Sequence, residues 1–187
     1  MTDDKIIRQL FPEISEIRDK ILADRVVATW VRAWGRAEIR NPLIEFPFFH
    51  QAPSESLIGH VRKVTRFALA LARSLSEDKN APSCDQDILL AACLLHDVDK
   101  LLLYKPSEDG TGWEPSPISH KFAHGLLGAM LCNEEGLPEI VVHLVATHSL
   151  DSPLAPEPYE GVILHYADYF AADTTLWQTG LPLLLKH

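Results

Sequence analysis

The sequence predicts an all-α domain with an N-terminal accessory helix, and three observations predict it. Apolar residues recur at spacings of three and four along successive segments, strand-like alternation is scarce, and most prolines and glycines fall between those segments. Nothing repeats at a fixed period and no low-complexity segment interrupts the pattern. Residues 1–53 are therefore read as a helix and connector packed on a single helical domain of residues 54–187.

The accessory helix is expected from Ile6 to about Trp34. The connector after it, Asn41-Pro42-Leu43-Ile44-Glu45-Phe46-Pro47-Phe48-Phe49-His50, is apolar, yet its prolines lack the N–H that a regular element needs. Three roles stand open for it: a cover over the active site, a subunit contact, or packing across the domain. The next helix, from about Ser54 to Leu75, opens with Ser54 and Glu55. It carries Leu57, Val61, Val64, Ala68 and Leu71 on one face, with His60 at the edge of that face and pointing inward. Another begins near Asp85 or Asp87, runs through Ile88, Ala91, Ala92 and Leu95, and bears His96 and Asp97 toward its end. Lys100 is placed one turn beyond His96 on the same helix, within reach of the same pocket.

Pro106 to Pro117 reads as a loop with turns, in which Trp113 is assigned to packing ahead of a lid role. Ser119 then caps a helix through about Cys132, with His124 one turn in and Gly125, Gly128 and Ala129 permitting close helix packing. Gly136-Leu137-Pro138 stops that helix and starts one that holds Ile140, Val141, Leu144 and Val145 and delivers His148 at its end. A second proline-rich stretch, Asp151 to Pro158, precedes the last helix, about Glu160 to Asp173, with Asp168 in its middle beside Val162, Leu164, Ala167 and Ala171. The apolar terminus, Leu181-Pro182-Leu183-Leu184-Leu185, would favour a homo-oligomer if exposed.

Composition narrows the class. A chain of 187 residues can bury the core of one domain. Its net charge of −9 disfavours nucleic-acid polymers and anionic membranes, which need clustered Lys and Arg, and so favours a small substrate. Arg62, Lys63 and Arg66, just past His60, are read first as a solvated helix face and second as a local cationic pocket, with Arg62 and Arg66 as candidate substrate contacts. The three cysteines, Cys84, Cys93 and Cys132, are odd in number and widely spaced, which argues for a reducing compartment and against disulfides or a thiolate zinc site. No signal-peptide pattern opens the chain and no apolar run is long enough to span a bilayer, so a soluble, cytoplasmic protein is expected.

The most informative feature is Leu94-Leu95-His96-Asp97-Val98-Asp99-Lys100. An adjacent His-Asp pair in so apolar a context is costly to bury unless the two side chains share a partner, and a divalent cation is the simplest one. His60, His124, His148 and Asp168 lie in similar contexts. Together the set offers four imidazoles and two carboxylates, too many for one tetrahedral ion and suited to two ions that share an Asp. Such ligands accept Fe, Mn, Co, Ni or Zn. Among the other histidines, His165 is a candidate outer-shell or substrate contact and His120 belongs to a helix start. His143 is read as structural or surface, and His50 and His187 carry no signal.

The order His60, His96-Asp97, His124, His148, Asp168 resembles the HD-domain superfamily of metal-dependent phosphohydrolases, in its extended six-ligand form, over about residues 55 to 175. The resemblance implies an HD-domain helical bundle. It implies one ion on His60, His96, Asp97 and Asp168, and a second on His124 and His148 with Asp97 bridging. It also implies that Lys100 contacts substrate phosphate or a substrate hydroxyl. Asp99 stands where many such proteins have Gly, which adds a negative charge near the site.

The expected activity is therefore that of a phosphomonoesterase or phosphodiesterase acting on a nucleotide or another small phosphate metabolite. Metal-activated water attacks phosphorus at a dinuclear centre, with Asp97 and Lys100 as the catalytic residues and Asp97 or Asp99 relaying protons. The sequence has neither a Walker-type phosphate loop nor a Gly-x-Ser-x-Gly elbow. Two alternatives share the ligand set: a mixed-valence di-iron oxygenase, and a regulatory module that binds metal and nucleotide without turnover.

Overall fold

In the computed structural model, which describes residues 2–37, 39, 43–49, 52–110, 112–149 and 152–184, the amino-terminal region forms two helices where the sequence predicted one. Helix α1 (Asp3–Leu10) gives way to a 3-10 turn (Pro12–Glu16), because Pro12 cannot donate within a helix interior. Helix α2 (Lys20–Arg36) restarts at Asp19, whose carboxylate accepts the N–H groups of Ile21 and Leu22. Ile7, Phe11, Ile14 and Ile17 are fully buried and share one core with α2 and with the helices that follow, so this region is built into the domain core.

The connector holds a short 3-10 turn (Leu43–Glu45) and strand β1 (Pro47–Phe49), which pairs antiparallel with β2 (Ala52–Ser56). Asn41, Pro42 and His50 of the connector, Asp151, Leu185 and His187 lie outside the described residues. Ser54 and Glu55 belong to β2, so the next helix, α3 (Leu57–Leu75), is capped by Ser56, whose hydroxyl accepts the Gly59 N–H at 3.0 Å. Helix α4 (Gln86–Leu95) starts at Asp85. Its Asp87 carboxylate also accepts the backbone N–H groups of Arg18 (3.1 Å) and Asp19 (3.0 Å), which fixes the start of α2 against α4.

Helix α4 stops at Leu95 with His96 as its cap, and the short α5 (Lys100–Leu103) follows a tight turn. Lys100 is therefore not on the helix that precedes His96. The 106–117 stretch includes a small hairpin, β3 (Tyr104–Pro106) with β4 (Trp113–Pro115), in which Trp113 packs edge-on against Phe46 with ring centroids 4.6 Å apart. A 3-10 turn (Pro117–His120) then replaces the start of the helix expected from Ser119. Helix α6 (Leu126–Glu134) begins only after Gly125, whose left-handed φ of 88° turns the chain.

Helix α7 (Glu139–Thr147) starts after Pro138, as predicted, and α8 (Tyr159–Thr179) runs well past Asp173. Helix α8 packs along α3, and both contact α4, whose residues from Leu89 to Leu95 are all buried. Among the described residues the architecture is a helical bundle with two small hairpins. No helix among the described residues is long and apolar enough to cross a membrane. At the carboxy terminus Leu183 and Leu184 are half-buried, and the Leu184 N–H donates to Asp173 at 2.7 Å.

A buried hydrogen bond ties α2 to the end of α4, just before the His-Asp pair. Trp30, fully buried and tilted against the Phe11 ring, donates its indole N–H to the Leu94 carbonyl at 2.9 Å. Trp30→Phe removes that donor and leaves a buried carbonyl unpaired, so we expect a loss of about 1–3 kcal/mol in denaturant unfolding. An unchanged midpoint would show that this bond carries no net stability.

Candidate metal centre

The side chains that converge between α3, α4, α7 and α8 come mostly from helix ends. There the last carbonyls lack partners within the helix. At the end of α4, His96 donates its Nδ1–H to the Cys93 carbonyl at 2.7 Å. At the end of α7, His148 does the same to the Val145 carbonyl at 2.8 Å. Each bond satisfies an orphan carbonyl and fixes the tautomer, which leaves an Nε2 lone pair aimed inward.

Those inward nitrogens meet the other predicted residues. His60, in the first turn of α3, places Nε2 3.0 Å from Asp168 Oδ1, 3.4 Å from Asp97 Oδ2 and 3.4 Å from His96 Nε2. His124 places Nε2 2.9 Å from Asp97 Oδ1 and 3.2 Å from His148 Nε2. The donors fall into two groups, His60, His96 and Asp97 in one and Asp97, His124 and His148 in the other. Within each group the ligand atoms lie within 4.8 Å of one another. Asp97 belongs to both, and Asp168 adjoins the first.

The chemistry of this set fits a divalent cation. His96 and His148 carry their protons on Nδ1, and a proton on His124 Nδ1 would face the Asp99 carboxylate 3.1 Å away. Lone pairs of Nε2 and carboxylate oxygen would then point at one another in a dry interior, which only a cation between them makes favourable. Each of these buried His/Asp clusters has the donors to hold a metal ion. In the metal-free state protons take that role. Burial lowers the affinity of His96 for a proton, but Asp97 and Asp168 outweigh it and push its pKa up to about 10. Burial likewise opposes the charge on His124, and Asp99 and Asp97 push it up to about 9. Burial dominates at His60 and His148, whose pKa values are lowered. Asp97 is held well below the carboxylate range against burial, chiefly by Lys100 and His96, and Asp168 by His60 and His96.

Lys100 enters the site from the turn after Asp97, with Nζ 2.7 Å from Asp97 Oδ2. Its ammonium also lies 4.0 Å from the centroid of Phe48, and that ring stacks on His60 at 3.6 Å. Phe48, on strand β1 of the connector, is the site residue that the sequence did not single out. Its signal was only that an apolar connector immediately precedes the helix of His60. The side chains of His60, His96, Asp97 and His148 are essentially inaccessible, while His124 and Asp168 keep 23 % and 17 % of their exposure and mark the open edge.

Several expected contacts are not brought to this site. Arg62 donates to Glu13 at 2.8 Å, drawn away by a partner 49 residues earlier in the chain, and Lys63 pairs with Glu55. Arg66 is exposed on α3. His165 lies behind the site, where its Nδ1–H donates to the His148 carbonyl at 3.1 Å. His120 is exposed and His143 half-buried. The thiols offer no nucleophile, since burial pushes Cys84 up to about 11, Cys132 up to about 12 and Cys93 higher.

Residues 57–173 match the HD domain family. Over 121 residues the chain is 33% identical to the dihydroneopterin 2',3'-cyclic phosphate phosphodiesterase of Methanocaldococcus jannaschii, covering 64% of this chain and 47% of that protein. Over 125 residues it is 26% identical to the ribonuclease Y proteins of Borreliella afzelii and Borreliella burgdorferi, covering 67% of this chain and 20% of each of those. The chain thus spans less than half the length of these curated relatives. No solved structure matches it.

The raised imidazole values set a direction for metal uptake. At neutral pH, below both values, His96 and His124 hold protons that an incoming ion must displace, and those protons leave on their own as pH rises through about 9 and 10. We expect roughly two protons released per chain on filling, and tighter apparent binding of Mn or Zn as pH rises. Calorimetric titration in buffers of different ionisation enthalpy measures both. Uptake without proton release would contradict the arrangement.

Proposed function

The chain belongs to the HD-domain phosphohydrolase superfamily, and on that premise we propose that it hydrolyses a small phosphate ester, with a cyclic or linear phosphodiester of a nucleotide-like metabolite as the preferred class, at a two-metal centre. The observation that carries this reading is the sharing of Asp97. One carboxylate presents Oδ2 to His60 and His96 and Oδ1 to His124 and His148, as a bridging ligand must. His60, His96, Asp97 and Asp168 would hold one ion, and Asp97, His124 and His148 the other.

Bound divalent ions would supply electrophilic contact to phosphoryl oxygens and lower the pKa of a water to near neutrality. The protein's own groups then position and exclude. Lys100 is nine-tenths buried and already oriented by Asp97 and Phe48, so its ammonium is preorganised to meet a phosphoryl oxygen without first shedding bulk water. Phe48 and the β1–β2 hairpin close the His60 side, which leaves the edge of His124 and Asp168 as the approach for substrate. Asp99 does not fit a proton relay, since Oδ2 accepts the Gly125 N–H at 2.7 Å and Oδ1 faces His124. Asp97 is engaged on both oxygens and serves as ligand and charge.

Two further observations support a small substrate. The archaeal relative is named for a cyclic phosphate of a small metabolite. The net charge of −9, with Arg62 and Lys63 both neutralised by carboxylates, leaves little to attract a polyanion.

The test is turnover of bis(p-nitrophenyl) phosphate, p-nitrophenyl phosphate and a nucleoside 2',3'-cyclic phosphate by protein loaded with Mn, Co, Ni, Fe or Zn. We expect diester or cyclic ester cleavage, with Lys100→Ala lowering kcat/KM about a hundredfold. No turnover with any metal would overturn the reading, and oxygen uptake by the iron-loaded protein in its place would establish the oxygenase chemistry instead.

A further inference from the structure

The two halves of the centre are not held in the same way. His96 and His148 are locked by carbonyls of their own helices, and His60 lies in the first turn of α3 under the Phe48 ring. His124 has no helix to hold it. It lies in the irregular segment between the 3-10 turn Pro117–His120 and α6, followed at once by Gly125.

Asp99 supplies what the helix does not. It is fully buried, in the turn between α4 and α5, two residues after Asp97. Its Oδ1 lies 3.1 Å from His124 Nδ1, and these two buried atoms have no other partner among the described residues. Its Oδ2 accepts the Gly125 N–H at 2.7 Å. One carboxylate thus grips both the imidazole and the backbone of the next residue. That backbone is pressed onto the end of α7: a Cβ at position 125 would meet the Val145 carbonyl at 2.8 Å and His148 Cε1 at 3.4 Å. Asp99 therefore joins three parts of one half of the centre, namely the Asp97 turn, the His124 segment and the end of α7. It has no contact of this kind with His60 or Asp168.

We propose that Asp99 is a positioning residue that builds the Asp97–His124–His148 half of the centre, by orienting His124 from behind and adding a negative charge to that half, while the His60–His96–Asp97–Asp168 half forms without it. A buried carboxylate on the far nitrogen of a ligating imidazole fixes ring and tautomer and makes the near nitrogen a better donor to a cation. The inference rests on the two-ion reading above.

Titration of the metal-free full chain with Mn or Co, followed by stoichiometry after gel filtration, tests it. Asp99→Asn keeps size and shape but removes the charge. We expect the variant to take up the first ion as the unmodified chain does and the second about ten- to a hundredfold more weakly. His124→Ala is expected to lose the same second ion. Uptake of both ions by Asp99→Asn with unchanged affinity would overturn the inference and leave the two-ion reading standing, as would equal weakening of both sites. Uptake of a single ion by the unmodified chain would overturn the two-ion reading, and this inference with it. A measurement without any substitution bears on the same point: nitrogen-15 spectra of the metal-free chain should show His124 Nδ1 protonated and protected from exchange, and a freely exchanging Nδ1 would refute the contact with Asp99.

Discussion

The buried carboxylate of Asp97 is the constraint on which the rest of this structure depends. It is 1 % exposed, and an anion so placed is tolerable only if positive charge surrounds it. The Lys100 ammonium and the protonated His96 and His124 supply that charge, and His60 and His148 complete the ring of partners, all five reaching it within 2.7 to 3.8 Å. The groups that gather there come from four separate parts of the chain, so satisfying one carboxylate brings α3, α4, the segment before α6 and the end of α7 to one point. The surrounding apolar layers exclude water, which strengthens every contact and makes any missing partner expensive.

The helix ends convert that constraint into geometry. Terminating α4 at His96 and α7 at His148 lets each imidazole close its own helix through Nδ1 while Nε2 turns to the centre. The break after His96 also turns Asp97 and Asp99 in different directions, one to the Nε2 atoms at the centre and one to the back of His124. A continuous helix through residue 100 would give neither orientation. The hairpin before α3 then shields the site with Phe48, which touches both His60 and Lys100. Trp30 of α2 ties down the last turn of α4 through the Leu94 carbonyl.

Much of this was legible in the sequence because it is local. Helical spacing, the Gly136-Leu137-Pro138 junction and the costly placement of His96, Asp97 and Asp168 among apolar residues all act within a few positions, and the helical class and the gathering of those residues follow from them. What was not legible depends on distant partners or on single torsions. Arg62 reads as a free cation next to His60 until Glu13 reaches it from the 3-10 turn after α1. The expected helix from Ser119 fails because Gly125 adopts a left-handed turn set by its contact with Asp99 and α7, so His124 sits outside any helix. The single accessory helix divides at Pro12, whose effect the apolar spacing concealed. Phe48 reads as one more apolar residue, since its role lies in the ring it covers.

The central claim is that Asp97 joins two cation sites into one centre. Elemental analysis of protein purified without a metal-affinity tag, compared with Asp97→Ala, tests it most directly. The account predicts about two transition-metal ions per chain, lost together in the variant. Retention of one ion by Asp97→Ala with unchanged affinity, or a single saturable site in the unmodified chain, would contradict it.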